Sequence, residues 1–265
     1  MSAAYDETSR KLLLTTDHTA YCLGIDGDGN LQHLYWGEKL PGIQDYPECR
    51  PLGPTVGIGK NLENPKNLKL SDFYYPYEAG RAVINEEYVG WGGLNFVEPC
   101  LKLVFPDGVR DLVLKFCSLK CERENEAVVT LMDAVYPLYV HLYYRALPDV
   151  DLIVRWAEIE NCGNESVWLE NAQSGVFYAP SFQAYRLSTL SGRWANELNL
   201  KRAPVYQGKK VMESRRGITS HHEAPWFALD PEGESTEHSG PVWFGTLAWS
   251  GNWKMVVEYT SNRQM

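Results

Sequence analysis

The stretch Tyr139-Val140-His141-Leu142-Tyr143-Tyr144-Arg145-Ala146-Leu147 decides the fold. Val140, Leu142, Tyr144 and Ala146 fall on one side of an extended chain, and His141, Tyr143 and Arg145 on the other. That period of two is the mark of a half-buried strand. The same rhythm sets Leu101, Leu103 and Phe105 around Lys102. It returns in Trp253, Met255, Val257 and Tyr259, with Lys254 and Glu258 facing away. Helical periodicity is almost absent. Turn chemistry punctuates the strands at short intervals, since Asp-Gly and Gly-Asn supply the positive φ of tight hairpin turns. Asp26-Gly27-Asp28-Gly29-Asn30 separates Tyr21–Ile25 from Leu31–Trp36, and Pro106-Asp107-Gly108 separates Leu101–Phe105 from Asp111–Phe116. Cys162-Gly163-Asn164 lies between Leu152–Glu160 and Val167–Asn171, and Ser250-Gly251-Asn252 between Val242–Trp249 and Trp253–Tyr259. Four hairpins of this kind predict an all-β chain, built as a large antiparallel sandwich.

Two regions break the pattern. Residues 41–76 hold six prolines and read as a long excursion with at most one short strand. Residues 179–216 are polar and mixed, and read as surface or short edge strands. Long loops on a rigid sandwich are where ligand contacts usually sit.

The composition sets the class. With 265 residues the chain can bury a full core, and 44% hydrophobic with 22% charged residues excludes gross disorder. A formal charge of -9 without a basic run argues against nucleic acid and anionic membrane as partners. The most apolar stretch, Ala127 to Tyr144, is interrupted by Asp133, Pro137 and His141, so it does not read as a membrane span. The polar start, MSAAYDETSRK, lacks an apolar signal region, which predicts a cytoplasmic protein. The six cysteines contain no Cys-x-x-Cys and are expected to be buried, reduced thiols. The 9 Trp, 16 Tyr and 8 Phe fit a thick β-core and a sugar-binding surface equally well.

Individual motifs carry little chemistry. Asp26-x-Asp28-x-Asn30 begins like a calcium loop, but Leu31 stands where that loop needs Gly and Gly37 where it needs Glu, so the hairpin reading prevails. Gly57-Ile58-Gly59-Lys60-Asn61 lacks the spacing and context of a phosphate loop. In His221-His222-Glu223 a strand would point the two imidazoles to opposite faces, so no metal site is expected. No cofactor is expected either. A pair of catalytic carboxylates cannot be picked from 34 acids by spacing, because such a pair acts across a cleft.

Longer segments carry a resemblance. Leu187-Ser188-Thr189-Leu190-Ser191-Gly192-Arg193-Trp194-Ala195-Asn196-Glu197 resembles a signature of family 36 glycoside hydrolases, the α-galactosidases. Glu213 to His222, Pro225 to Leu229 and Val242 to Trp253 follow in the family's order. Leu40-Pro41-Gly42 and the blocks Gly90 to Gly93 and Asp111 to Leu114 match as well. The resemblance covers nearly all of residues 1–265 and is to the N-terminal β-supersandwich domain, a galactose-mutarotase-like fold. In the family a (β/α)8 barrel follows and carries both catalytic aspartates. The barrel's Lys-x-Asp-x-Asn motif is absent here, so no catalytic residue is expected in this chain. The resemblance also implies that the sandwich lacks its last strands, with Trp253 to Thr260 left near an open edge.

Family members hydrolyse terminal α-linked galactose with retention, many as tetramers in which an N-terminal loop reaches a neighbour's active site. The resemblance therefore implies a galactoside ligand in the complete enzyme and a homo-oligomer. The loop's Gly-Asp-Phe-Arg-like segment reads Leu94-Asn95-Phe96-Val97-Glu98-Pro99 here. Asn95 replaces the acid; an amide still hydrogen-bonds a hydroxyl but is not a charged acceptor. Trp91 can stack on an apolar sugar face or serve the core or an interface. Trp91 and Asn95 are thus the candidate substrate-binding residues of an α-galactosidase N-terminal domain. A stand-alone carbohydrate-binding module and a structural oligomerisation domain are the alternatives.

Overall fold

The computed structural model describes residues 2–50, 84–93, 95–180, 184–232 and 235–260. It is all-β, and every paired strand runs antiparallel to its neighbours. The chain forms two compact units, Met1–Tyr178 and Ala179–Met265.

In the first unit β1 (Ala3–Asp6), β2 (Lys11–Thr15), β3 (Thr19–Ile25) and β4 (Leu31–Glu38) form one sheet in sequence order. A second sheet runs β6 (Leu114–Arg123), β7 (Glu126–Asp133), β8 (Leu138–Leu147) and β9 (Leu152–Asn161). Strand β5 (Leu101–Val104) pairs with β10 (Trp168–Ala172). Alternation in β8 is complete: Leu138, Val140, Leu142, Tyr144 and Ala146 are buried and each intervening residue is half-exposed. Register sets Ala127, Val129 and Leu131 of β7 beside Tyr144, Leu142 and Val140. These side chains share one core with Leu12, Leu14, Tyr21 and Leu23 of the first sheet. Each fully buried side chain of this size is worth about 1.5–3 kcal/mol.

Strand β3 is buried on both faces, because residues 40–46 cover its outer side. Ala20, Cys22 and Tyr46 form a small second core there, with Leu13, Leu34, Tyr35 and Leu40 against it. Buried Lys11 ties the covering segment down, donating from Nζ to the Tyr46 carbonyl (2.9 Å) and to Glu48 (2.6 Å). The start of the expected 41–76 excursion is therefore a packed cover; residues 51–76, and with them Gly57 to Asn61, lie outside the described residues.

In the second unit β11 (Tyr185–Arg193) lies between β12 (Asn196–Pro204) and β14 (Glu223–Pro231), with β15 (Trp243–Thr246) beyond β14. Strand β13 (Gly208–Ser214) pairs with β16 (Trp253–Tyr259). The expectation of short edge strands over 179–216 is corrected: β11 and β12 have nine residues each, and β11 is interior. Its Leu187, Ser188 and Thr189 are all buried, and small hydroxyl side chains there tolerate burial on both faces.

Only the first of the four expected hairpins forms, with Ile25 opposite Leu31. At Pro106-Asp107-Gly108 the turn exists, with Gly108 at φ 87 and its N–H on the Phe105 carbonyl (2.9 Å), but it passes the chain between sheets. Strand β5 pairs with β10, whereas β6 pairs with β7. The turn after β9 likewise leaves the β8 sheet, and the one after β15 leaves the β14 sheet. Positive φ is a local demand; which strand then pairs is set by distant packing.

All six cysteines are free. Cys22 and Cys100 are buried, and burial pushes both thiols up to about 12. Cys117, Cys121 and Cys162 are exposed, which corrects the expectation that the thiols are buried. Two of them sit on β6, an edge strand whose second half faces outward. Among the described residues no helix is long and apolar enough to cross a membrane.

Candidate functional site

Trp91 and Asn95 lie in one short loop between Val89 and Leu101, and its stem is held by three consecutive residues. Tyr178 donates from its hydroxyl to the Glu86 carbonyl (3.0 Å), and Tyr88 donates from its own to the Gln173 carbonyl (2.9 Å). Between them Glu87 is fully buried. Its carboxylate accepts from the Tyr21 hydroxyl (2.8 and 2.9 Å) and the Tyr144 hydroxyl (2.9 Å), and pairs with Arg155 Nη2 at 2.6 Å. Arg155 also donates from Nη1 to the Tyr21 hydroxyl (2.7 Å) and to the Val176 carbonyl (2.6 Å).

A buried charge survives only when paired and hydrogen-bonded, and this cluster supplies both. Burial, the largest influence, pushes the Tyr21 and Tyr144 phenols well up, so both remain donors. Burial, the largest single influence, lowers the Arg155 guanidinium, but Glu87 together with Tyr21, Tyr144 and Cys100 outweighs it and the net shift is upward. The site is a charged rivet joining β3, β8 and β9 to the stem. His33 lies beside it, Nδ1 3.5 Å from Glu87 Oε2.

Above the stem the loop is shaped by glycine. A Cβ on Gly90 would fall 2.5 Å from the Leu112 carbonyl oxygen, so only glycine admits this approach. Trp91 donates its N–H to the Leu101 carbonyl (3.0 Å) and accepts from the Leu112 N–H (2.8 Å). Gly92 and Gly93 adopt φ 129 and 62, and the Gly93 N–H donates to Asp111 Oδ1 (3.0 Å). The Asn95 N–H closes the loop on the Gly92 carbonyl (3.2 Å).

The loop presents two aromatic side chains. Trp91 is 44% exposed and Phe96 76% exposed. Lys102 Nζ sits 4.6 Å from the centre of the Trp91 ring, a cation–π contact. Asn95 turns back on its own loop, its Oδ1 accepting from the Val97 N–H (3.3 Å). Its Nδ2 is buried without a hydrogen-bond partner among the described residues. Leu94 lies outside the described residues. Phe96, Lys102 and Asp111 were not singled out by sequence; an aromatic inside a Gly- and Asn-rich segment was the available signal for Phe96.

The remaining motifs lie elsewhere. Asp26 is a turn organiser: its carboxylate accepts from the Asp28 N–H (2.9 Å), the Asn30 N–H, Asn30 Nδ2 and Gln32 Nε2 (each 2.8 Å). His221 and His222 are exposed in a turn before β14, their rings edge to face at 4.7 Å. No group of three His, Cys, Asp or Glu among the described residues is arranged to hold a metal.

Comparison with known proteins adds ancestry to this geometry. Residues 29–265 match the family model described as the glycosyl hydrolase family 36 N-terminal domain. Alpha-galactosidase Mel36A of Lactobacillus acidophilus is 30% identical over 96% of this chain and 35% of its own length. The crystal structure of the family 36 α-galactosidase AgaB from Geobacillus stearothermophilus superposes with a TM-score of 0.81, at 24% identity, over 100% of this chain and 36% of that one. A variant of AgaA from the same organism, crystallised in complex with raffinose, superposes with a TM-score of 0.78, at 24% identity, over 96% and 36%. The chain thus spans about a third of the length of these relatives.

Proposed function

The chain belongs to glycosyl hydrolase family 36, as its N-terminal domain, and on that premise we propose that it works as the non-catalytic part of an α-galactosidase. In this reading residues 1–265 supply the β-sandwich domain, and the two carboxylates of the retaining reaction come from a barrel elsewhere in the enzyme. The loop after Val89 helps to form the galactoside site, reaching a neighbouring subunit of a cytoplasmic homo-oligomer. Trp91 stacks on the apolar face of the sugar. Asn95 donates from Nδ2 to a sugar hydroxyl once its amide turns outward.

The observation that supports this reading is the contrast between stem and tip. Buried Glu87, with its two tyrosines and Arg155, fixes the stem, while Trp91 and Phe96 are left facing outward. A rigid base carrying exposed aromatics is what a preorganised sugar contact requires.

Kinetics of the full-length enzyme that carries this domain test the proposal. Trp91→Ala should raise KM or lower kcat for an aryl α-galactoside several-fold while leaving folding intact, since such a stacked ring is worth about 1 kcal/mol. Unchanged kinetics would remove Trp91 from the site. Residues 1–265 alone should show no hydrolysis above background, and turnover surviving removal of host enzymes would overturn the division of labour.

A further inference from the structure

The second unit contains a cleft of about 390 Å³ that shares no residue with the Trp91 loop. That volume lies within the range of small-molecule sites, about 300–1,000 Å³. Its floor is one face of the β11 sheet, where period two brings Thr189 and Ser191 to the same side. Register sets Lys201 of β12 opposite Thr189, and Glu223 of β14 opposite Ser191. Lys210 of β13 and Val257 of β16, paired with each other, line it from the second sheet. Tyr206, in the connection between β12 and β13, is 76% exposed at its border.

One oxygen of a residue lining this cleft is out of balance. Glu223 Oε2 is buried and has no hydrogen-bond partner among the described residues. A buried carboxylate oxygen without a donor costs a large fraction of a domain's stability, so each such atom calls for an explanation. The charges around it restrict what can supply the donor. Lys209 is engaged by Glu258 at 3.6 Å, whereas Lys201 and Lys210 are exposed lining residues. A cation entering the cleft would meet those two ammonium groups. An anion would satisfy the lysines but leave Glu223 Oε2 unpaired and add like charge beside it. A neutral polyol does neither, because each hydroxyl both donates to a carboxylate and accepts from an ammonium group.

We propose that this cleft binds a neutral pyranose, with Glu223 and Ser191 hydrogen-bonding its hydroxyls, Lys201 and Lys210 donating to its oxygens, and Tyr206 covering its apolar face. The assignment stands on the cleft's own chemistry and does not rest on the loop reading. It gives the domain a sugar site of its own in addition to any contact made by Trp91.

Titration of the protein with methyl α-galactoside, methyl α-glucoside and inorganic phosphate, followed by amide NMR shifts and calorimetry, tests it. At least one glycoside should saturate and move the amides of Ser191, Gln207 and Glu223. Glu223→Gln should weaken that binding about tenfold, the loss of one charge-assisted hydrogen bond. Tyr206→Ala, at an exposed position where folding is unaffected, should weaken it several-fold. Saturable shifts from phosphate alone, no saturable shift from either glycoside, or glycoside shifts confined to Trp91 and Gly93 would each overturn the assignment. The last of these would leave the loop reading intact, and the kinetics of Trp91→Ala judge that reading separately.

Discussion

Glu87 and Arg155 meet at 2.6 Å inside the first unit, and the Glu87 side chain has no exposed surface at all. Removing one partner of such a pair strands a buried charge and costs about 3–5 kcal/mol, although the intact pair need not stabilise the fold by that amount. Glu87→Ala and Arg155→Ala should each lower the free energy of unfolding in urea by that order. The double variant should cost clearly less than the two together, because neither charge then remains unpaired. Additive losses would mean that the two residues act independently.

Asp26 makes a different kind of contact, closing the turn between β3 and β4 with four accepted hydrogen bonds. Asp26→Asn keeps the shape but sets an NH₂ group against the Asn30 and Gln32 donors. Each hydrogen bond to a charged group contributes about 1.5–3 kcal/mol, so a loss of about 2–4 kcal/mol is expected in chemical denaturation. The same saturation predicts indifference to calcium. With both oxygens already occupied, millimolar calcium should leave the melting temperature unchanged, and a calcium-dependent rise would return the loop to the metal-binding reading.

These two acids show what was legible in the sequence and what was not. Asp26 could be read as a turn residue because its partners lie within six positions, at Asp28, Asn30 and Gln32. Glu87 looked like any other acid, since its partners come from positions 21, 144 and 155. Strands obeyed the same division. Alternation from Tyr139 to Leu147 predicted the buried face of β8 residue by residue, because burial of one face is written in the strand itself. The partner of Leu101–Val104 was not written there. It is β10, more than sixty residues onward, and Gly108 marks a turn without saying where the chain goes next. Trp91 and Asn95 were located in sequence as one segment, but the exposure of Phe96 and the inward turn of Asn95 depend on the backbone of Gly90, Gly92 and Gly93.

Two tryptophans should separate surface from core. Trp253 is 5% exposed and donates from Nε1 to Thr219 Oγ1 at 3.1 Å, so Trp253→Ala should cost about 3–5 kcal/mol. Trp91 is 44% exposed and loses chiefly its contact with Lys102, worth about 0.5–1 kcal/mol. Urea unfolding of both variants measures the difference. Equal losses would assign Trp91 to the core and remove the basis for its role at a sugar site.

A pH dependence should arise where the β2–β3 turn meets the turn after β8. Asp151, at φ 52, accepts at Oδ1 from Thr16 Oγ1 (2.7 Å) and the His18 N–H (2.8 Å), while Oδ2 lies 2.7 Å from His18 Nδ1. Those hydrogen bonds, that from Thr16 foremost, hold the Asp151 carboxyl well below its ordinary 3.8. The hydrogen bond to Asp151 and the carboxylate's charge raise His18 above its ordinary 6.5. A depressed carboxyl stabilises the fold above its unfolded pKa, and that contribution fades as pH falls toward the folded value. A raised imidazole stabilises it below its unfolded pKa, and that contribution fades as pH climbs through the folded value. The pair therefore contributes fully between about pH 4 and pH 6.5, the two ordinary values. Both side chains reach solvent, so the effect is modest and weakens with salt. Melting temperatures at pH 6 and pH 8.5 should differ more in the parent protein than in His18→Gln, with 0.5 M salt narrowing the gap. Identical pH profiles for parent and variant would show that the contact between these turns carries no linked proton.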